Sequence, residues 1–109
     1  MTTRAGVPCL TMSTFAVEYT YDADRSEEAD QVRPEHRAFL RDLLDQGRLL
    51  ASGPWVGAAP GALLLVVADD TAAVESLLDA DPFHREGLIT RRTVRRWNPV
   101  IGPFTADAA

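Results

Sequence analysis

Residues 13–21 alternate with a period of two. Phe15, Val17, Tyr19 and Tyr21 fall on one side and Thr14, Ala16, Glu18 and Thr20 on the other, which predicts a strand with one face in a core. An acidic stretch, 22–30, follows and reads as a loop. Then the period changes. Val32, Phe39, Leu40, Leu43 and Leu44 recur at helical spacing, predicting a helix over 32–46 with one apolar stripe. Pro34 suits a first turn, where its missing N–H costs little, and Gly47 suits the C-terminal stop.

Two strands are predicted next, 48–56 and 61–68, joined by the turn-rich link Gly57-Ala58-Ala59-Pro60. Leu63 to Val67 is apolar without alternation, the pattern of a strand buried on both faces. Asp69-Asp70-Thr71 offers caps for a second helix over 71–80, with Val74, Leu77 and Leu78 inward. Asp81-Pro82-Phe83 breaks it. A last strand spans 88–97, and Asn98-Pro99 stops it.

The order β-α-β-β-α-β predicts an α+β, ferredoxin-like fold: a four-stranded antiparallel sheet with two helices on one face. One layer of two helices covers one face only. The unbroken run 63–67 therefore predicts a second copy on the other face, giving a homodimer. The domain is expected over 13–101, behind a flexible leader, 1–12, and ahead of a tail, 102–109.

Composition narrows the function classes. With 46% hydrophobic and 25% charged residues, the chain is ordinary globular protein. A net charge of −5 repels phosphate backbones and argues against nucleic acid as a partner. No apolar run approaches the ~20 residues of a membrane span, and residues 1–12 lack the apolar core of a signal peptide, so a cytoplasmic location is expected. The one cysteine, Cys9, cannot form an internal disulfide or a thiolate cluster.

Few residues here can carry chemistry. His36 lies four positions after Val32 and three before Phe39, on the apolar stripe, so its imidazole faces the sheet. Such a ring is either a buried histidine satisfied by one hydrogen bond or a proton carrier working near neutral pH. Asp81 precedes a proline at a chain reversal, where one carboxylate oxygen caps backbone N–H groups and the other is free to orient an imidazole. Ser52-Gly53-Pro54 marks a bulge or close backbone approach late in the second strand, and Ser52 could donate to a ligand oxygen. His84 reads as a solvated loop histidine. With His36 and Asp81 it makes only a weak metal pattern, lacking any HxH or HxxxH pair, and no metal is expected. Arg91, Arg92, Arg95 and Arg96 read as protection of an edge strand. Arg33, one turn before His36, is the better candidate for an anionic substrate. No phosphate loop, nucleophile elbow or Walker pattern occurs, and no organic cofactor is expected.

Taken together, Phe15-Ala16-Val17, Arg33-Pro34-Glu35-His36, Gly47-Arg48-Leu49-Leu50-Ala51-Ser52-Gly53-Pro54, Asp81-Pro82-Phe83 before Gly87-Leu88, and a final strand ending at Trp97 resemble the YCII-related (YciI-like) family over about residues 13 to 100. The resemblance implies a ferredoxin-like fold that dimerises as an α+β barrel, like muconolactone isomerases. It also implies a site built from a histidine and an aspartate, which map onto His36 and Asp81. One relative type is a dehydrochlorinase of a chlorinated hydroxyhydroquinone, where a serine accompanies them; Ser52 matches that position. The leading expectation is a cofactor-free lyase or isomerase of a small cyclic enol, lactone or phenolic compound. His36 would be the base, Asp81 its partner and Ser52 an oxyanion donor, with Arg33, Gly53 and Pro54 binding substrate. The alternatives are a non-catalytic small-molecule-binding or accessory module and a cofactor-free monooxygenase.

Overall fold

The computed structural model describes residues 12–57 and 59–105; Cys9 and most of the expected leader lie outside them. The elements are β1 (Ser13–Tyr21), a 3-10 turn (Ala23–Arg25), α1 (Ser26–Asp45), β2 (Leu49–Pro54), β3 (Gly61–Ala68), α2 (Thr71–Leu78), a single-turn α3 (Pro82–Arg85) and β4 (Ile89–Trp97). The strands form one antiparallel sheet in the order β2-β3-β1-β4.

The inward register explains the core. Val17 lies opposite Leu64 on one side and Val94 on the other. Phe15, Val17, Tyr19, Leu64 and Val66 share one cluster with Leu40 and Leu43 of α1 and Val74 and Leu78 of α2. Both longer helices therefore cover the same face. On the other face Leu65 is buried, while Leu63 and Val67 are half-buried. Among the described residues no helix is long and apolar enough to cross a membrane.

Three expectations need correction. The acidic stretch 22–30 is not a loop. Asp22 caps the 3-10 turn by accepting from the Asp24 N–H, and α1 already begins at Ser26. Glu27 and Glu28 occupy its first turn, where carboxylates meet the positive end of the helix dipole. Pro34 consequently lies inside α1, and the helix forgoes one main-chain hydrogen bond there. The early turns are held by Ala29, buried against Phe83 and Leu88.

The bulge sits earlier than Ser52-Gly53-Pro54: the β2–β3 register shifts between Leu49 and Ala51. A Cβ at Gly53 would meet open space, whereas one at Gly61 would press into the Tyr19 carbonyl oxygen and the Trp55 indole. Gly61→Ala is thus expected to cost about 1–3 kcal/mol, the range for overpacking, read as a lower denaturation midpoint. Gly53→Ala should stay close to wild type.

Finally, the basic cluster divides. Arg91, Arg95 and Arg96 are exposed on the edge strand. Arg92 instead faces inward opposite Tyr19 and bonds Glu75 and Asp79, each at 2.8 Å, tying β4 to α2. Its guanidinium holds the Asp79 carboxyl below the usual carboxylate range.

Candidate functional site

His36, Leu40 and Leu43 lie on one face of α1 at helical spacing, and all three are buried. Asp81 is fully buried at the N-cap of α3, where its Oδ1 accepts from the Phe83 N–H at 2.9 Å. The same Oδ1 stands 2.8 Å from His36 Nδ1. Its other oxygen, Oδ2, accepts from the Tyr19 hydroxyl at 2.9 Å. One carboxylate thus gathers groups from α1, β1 and α3, and both its oxygens act as acceptors.

That arrangement sets the imidazole tautomer. A carboxylate accepting at both oxygens leaves Nδ1 to be the donor, so neutral His36 carries its proton on Nδ1 and its lone pair on Nε2. The ring is also fixed in orientation. It stacks on Phe83 with centroids 3.9 Å apart and planes 1° from parallel. Tyr21 meets Phe83 edge-on at 5.3 Å.

Two phenols reinforce the site. Burial, aided by the Asp81 charge and hydrogen bond, pushes the Tyr19 hydroxyl far above its ordinary range, so it remains a donor to Asp81. Burial and then Asp81 push Tyr21 up to about 12 from 10.0. Folded Tyr21 therefore keeps a proton that the unfolded chain releases. The stability this contributes is complete below pH 10 and is lost as the pH rises towards 12. The thermal midpoint should fall across that window, and fall less in Tyr21→Phe.

Beside the His36 ring lies a cleft of about 500 Å³ between α1 and β2, a size that suits a small molecule. His36, Ser52, Gly53 and Pro54 line it, with Tyr21, Leu40, Leu49 and Leu64 among the others. Asp81 is not on the lining; it reaches the cleft only through His36. Arg33 is not on the lining either. Its guanidinium pairs with Asp30 and stands 5.9 Å from the Phe83 centroid. His84 is exposed and 3.5 Å from Asp79, outside the cleft. Among the described residues no group of three or more His, Cys, Asp or Glu side chains could hold a metal.

Tyr19, Tyr21, Phe83, Arg37 and Arg41 join the site without a motif that singles them out in the sequence. The tyrosines carried a signal: alternation turns both inward, and a buried phenol needs a hydrogen-bond partner. Arg37 and Arg41 carried one too, since they flank Leu40 next to His36 on the helix.

The YCII-related domain model matches residues 14–98. Protein YciI of Escherichia coli O6:H1 is 34% identical over 95 residues, covering 78% of this chain and 97% of that protein. The chain belongs to the YCII-related family. Protein YciI of Shigella flexneri matches this YCII-related chain to the same extent. Among solved structures, 5-chloro-2-hydroxyhydroquinone dehydrochlorinase (TftG) of Burkholderia phenoliruptrix AC1100, in complex with 2,5-dihydroxybenzoquinone, aligns with a TM-score of 0.68 at 24% identity, covering 77% of this chain and 92% of that one. A structure from Bacteriodes thetaiotaomicron VPI-5482 described as an antibiotic biosynthesis monooxygenase aligns with a TM-score of 0.58 at 15% identity, covering 89% and 97%. At these identities the two structures share the fold with the YCII-related chain, and the likeness carries no activity across.

Proposed function

We propose that the chain is a small-molecule lyase or isomerase in which His36 is the general base. The observation carrying this reading is the 2.8 Å contact from Asp81 to His36 Nδ1, which in the neutral ring puts the lone pair on Nε2, and the ring lines the cleft. Nε2 takes a proton from carbon, and the imidazolium so formed faces the Asp81 carboxylate, which steadies it. The freed electron pair moves into the ring of a cyclic enol, lactone or phenolic substrate. In an elimination from the keto tautomer of a chlorinated quinol, Nε2 takes the proton of a ring hydroxyl instead, and that electron pair moves through the ring to form the new double bond as chloride departs with the carbon–chlorine pair. In an isomerisation His36 returns the proton to another carbon. Ser52 and the neutral Tyr21 phenol, both on the lining, donate to the oxyanion that builds up. Every group in this step belongs to the chain.

A quinol enters the test because TftG, which shares the fold, is a dehydrochlorinase of one. The test uses 5-chloro-2-hydroxyhydroquinone and a panel of cyclic enols and lactones in deuterated water. Chloride release or deuterium incorporation at carbon above the uncatalysed rate is expected. Neither, on any compound, would remove the catalytic reading.

The parallel stack of His36 on Phe83 and the full burial of Asp81 favour one alternative, a non-catalytic binding or accessory module in which the pair is a structural hydrogen bond. Ligand binding without carbon–hydrogen exchange would identify it. In either reading we place a second copy of the chain on the helix-free sheet face, over Leu63, Leu65 and Val67. Sedimentation at the mass of a monomer would exclude that.

A further inference from the structure

The cleft lining carries two cations, Arg37 and Arg41, and no aspartate or glutamate. Both belong to α1, one turn apart, with Cβ atoms about 5–6 Å from each other. Neither takes part in an ion pair among the described residues. Two like charges at this spacing repel. They stand in a chain whose net charge is −5, so the cleft runs against the charge of the molecule around it. The rest of the lining is mainly apolar: Leu40, Leu44, Leu49, Pro54 and Leu64.

We infer that Arg37 and Arg41 bind a carboxylate of the substrate, which is therefore a small cyclic acid. This rests on reading the cleft as the substrate site. The guanidinium forks are suited to a carboxylate, which can accept from both at once. A bound anion also relieves the repulsion between them. The leucines and Pro54 cover the hydrocarbon body. With the acid group held beside Arg37 and Arg41, the ring of the substrate extends along the cleft to His36, the residue preceding Arg37. Arg33, tied to Asp30 and off the lining, has no such role.

The test uses matched probes that differ in the acid group: benzoate against benzyl alcohol, and 2,5-dihydroxybenzoate against hydroquinone. Binding is followed by calorimetry and amide chemical shifts on the full chain. In wild type each acid is expected to bind at least tenfold more tightly than its neutral counterpart, with a preference that shrinks as salt is raised. In Arg37→Gln/Arg41→Gln the preference should collapse to less than threefold, with no loss of thermal stability, because a repulsive pair has been removed. His36→Gln should keep it. Acids binding no tighter than the neutral probes, or a preference that survives in the double variant, would overturn the inference. Loss of the preference in His36→Gln as well would also overturn it. The outcome is independent of turnover. A cleft that selects acids but exchanges no carbon-bound proton would retain this inference and remove the catalytic reading instead.

Discussion

His36→Ala is expected to lower turnover about 10²–10⁴-fold, the contribution typical of a positioned general base, while KM changes little. Truncation removes the acceptor at Nε2 and leaves the cleft otherwise intact. It also removes a group that packs flat on Phe83 and donates to Asp81, so the folded fraction must be measured alongside. His36→Gln is the useful companion. Its amide can still donate to Asp81, but it cannot take a proton. Equal losses in both variants, with both folded, assign the loss to proton transfer. Turnover within tenfold of wild type in folded His36→Ala would place the base elsewhere.

Asp81→Ala should be the most destabilising single change in the site. Three donors lose their acceptor together: the Tyr19 hydroxyl, the Phe83 N–H and His36 Nδ1. Unsatisfied buried donors and a broken buried pair cost about 3–5 kcal/mol, a large part of the stability of a domain this size. Chemical denaturation should show that loss with little change in the slope. Asp81→Asn separates structure from chemistry. Its Oδ1 keeps accepting from Phe83 and His36, and its amide nitrogen meets the Tyr19 hydroxyl, which can turn to accept. Most of the stability should therefore survive. The negative charge opposite the imidazolium does not, so turnover should still fall by tenfold or more. If Asp81→Asn lost stability as heavily as Asp81→Ala and kept full turnover, Asp81 would be a structural cap alone.

Much of this was legible in the residues. The period-two run of β1, the leucine stripe of α1 and the uninterrupted 63–67 run fixed the element order, because periodicity reports which side of an element meets a core. His36 was placed by the same stripe, and Asp81 by the capping chemistry of Asp-Pro. What stayed hidden depends on distant contacts. The early turns of α1 look like solvent-exposed loop, since their one buried anchor, Ala29, packs on Phe83 and Leu88 from the far end of the chain. The bulge near Leu50 is set by pairing with β3 rather than by local residues. Arg92 reads as one of four edge arginines until the register turns it inward to Glu75 and Asp79. Arg33 looked the better anion ligand because it precedes His36 by one turn, but the cleft opens on the side where Arg37 and Arg41 lie.

The proposed chemistry turns on one nitrogen atom of His36, and its protonation can be read directly. Nitrogen-15 spectra of histidine-labelled protein report which ring nitrogen of His36 holds the proton, and whether the other responds when 2,5-dihydroxybenzoquinone or 2,5-dihydroxybenzoate is added. With His36 as the base, the neutral ring is expected to show a protonated Nδ1 and an unprotonated Nε2 whose signal shifts as the cleft fills. A proton on Nε2 of the neutral ring, or an Nε2 signal indifferent to either compound at saturation, would contradict that role.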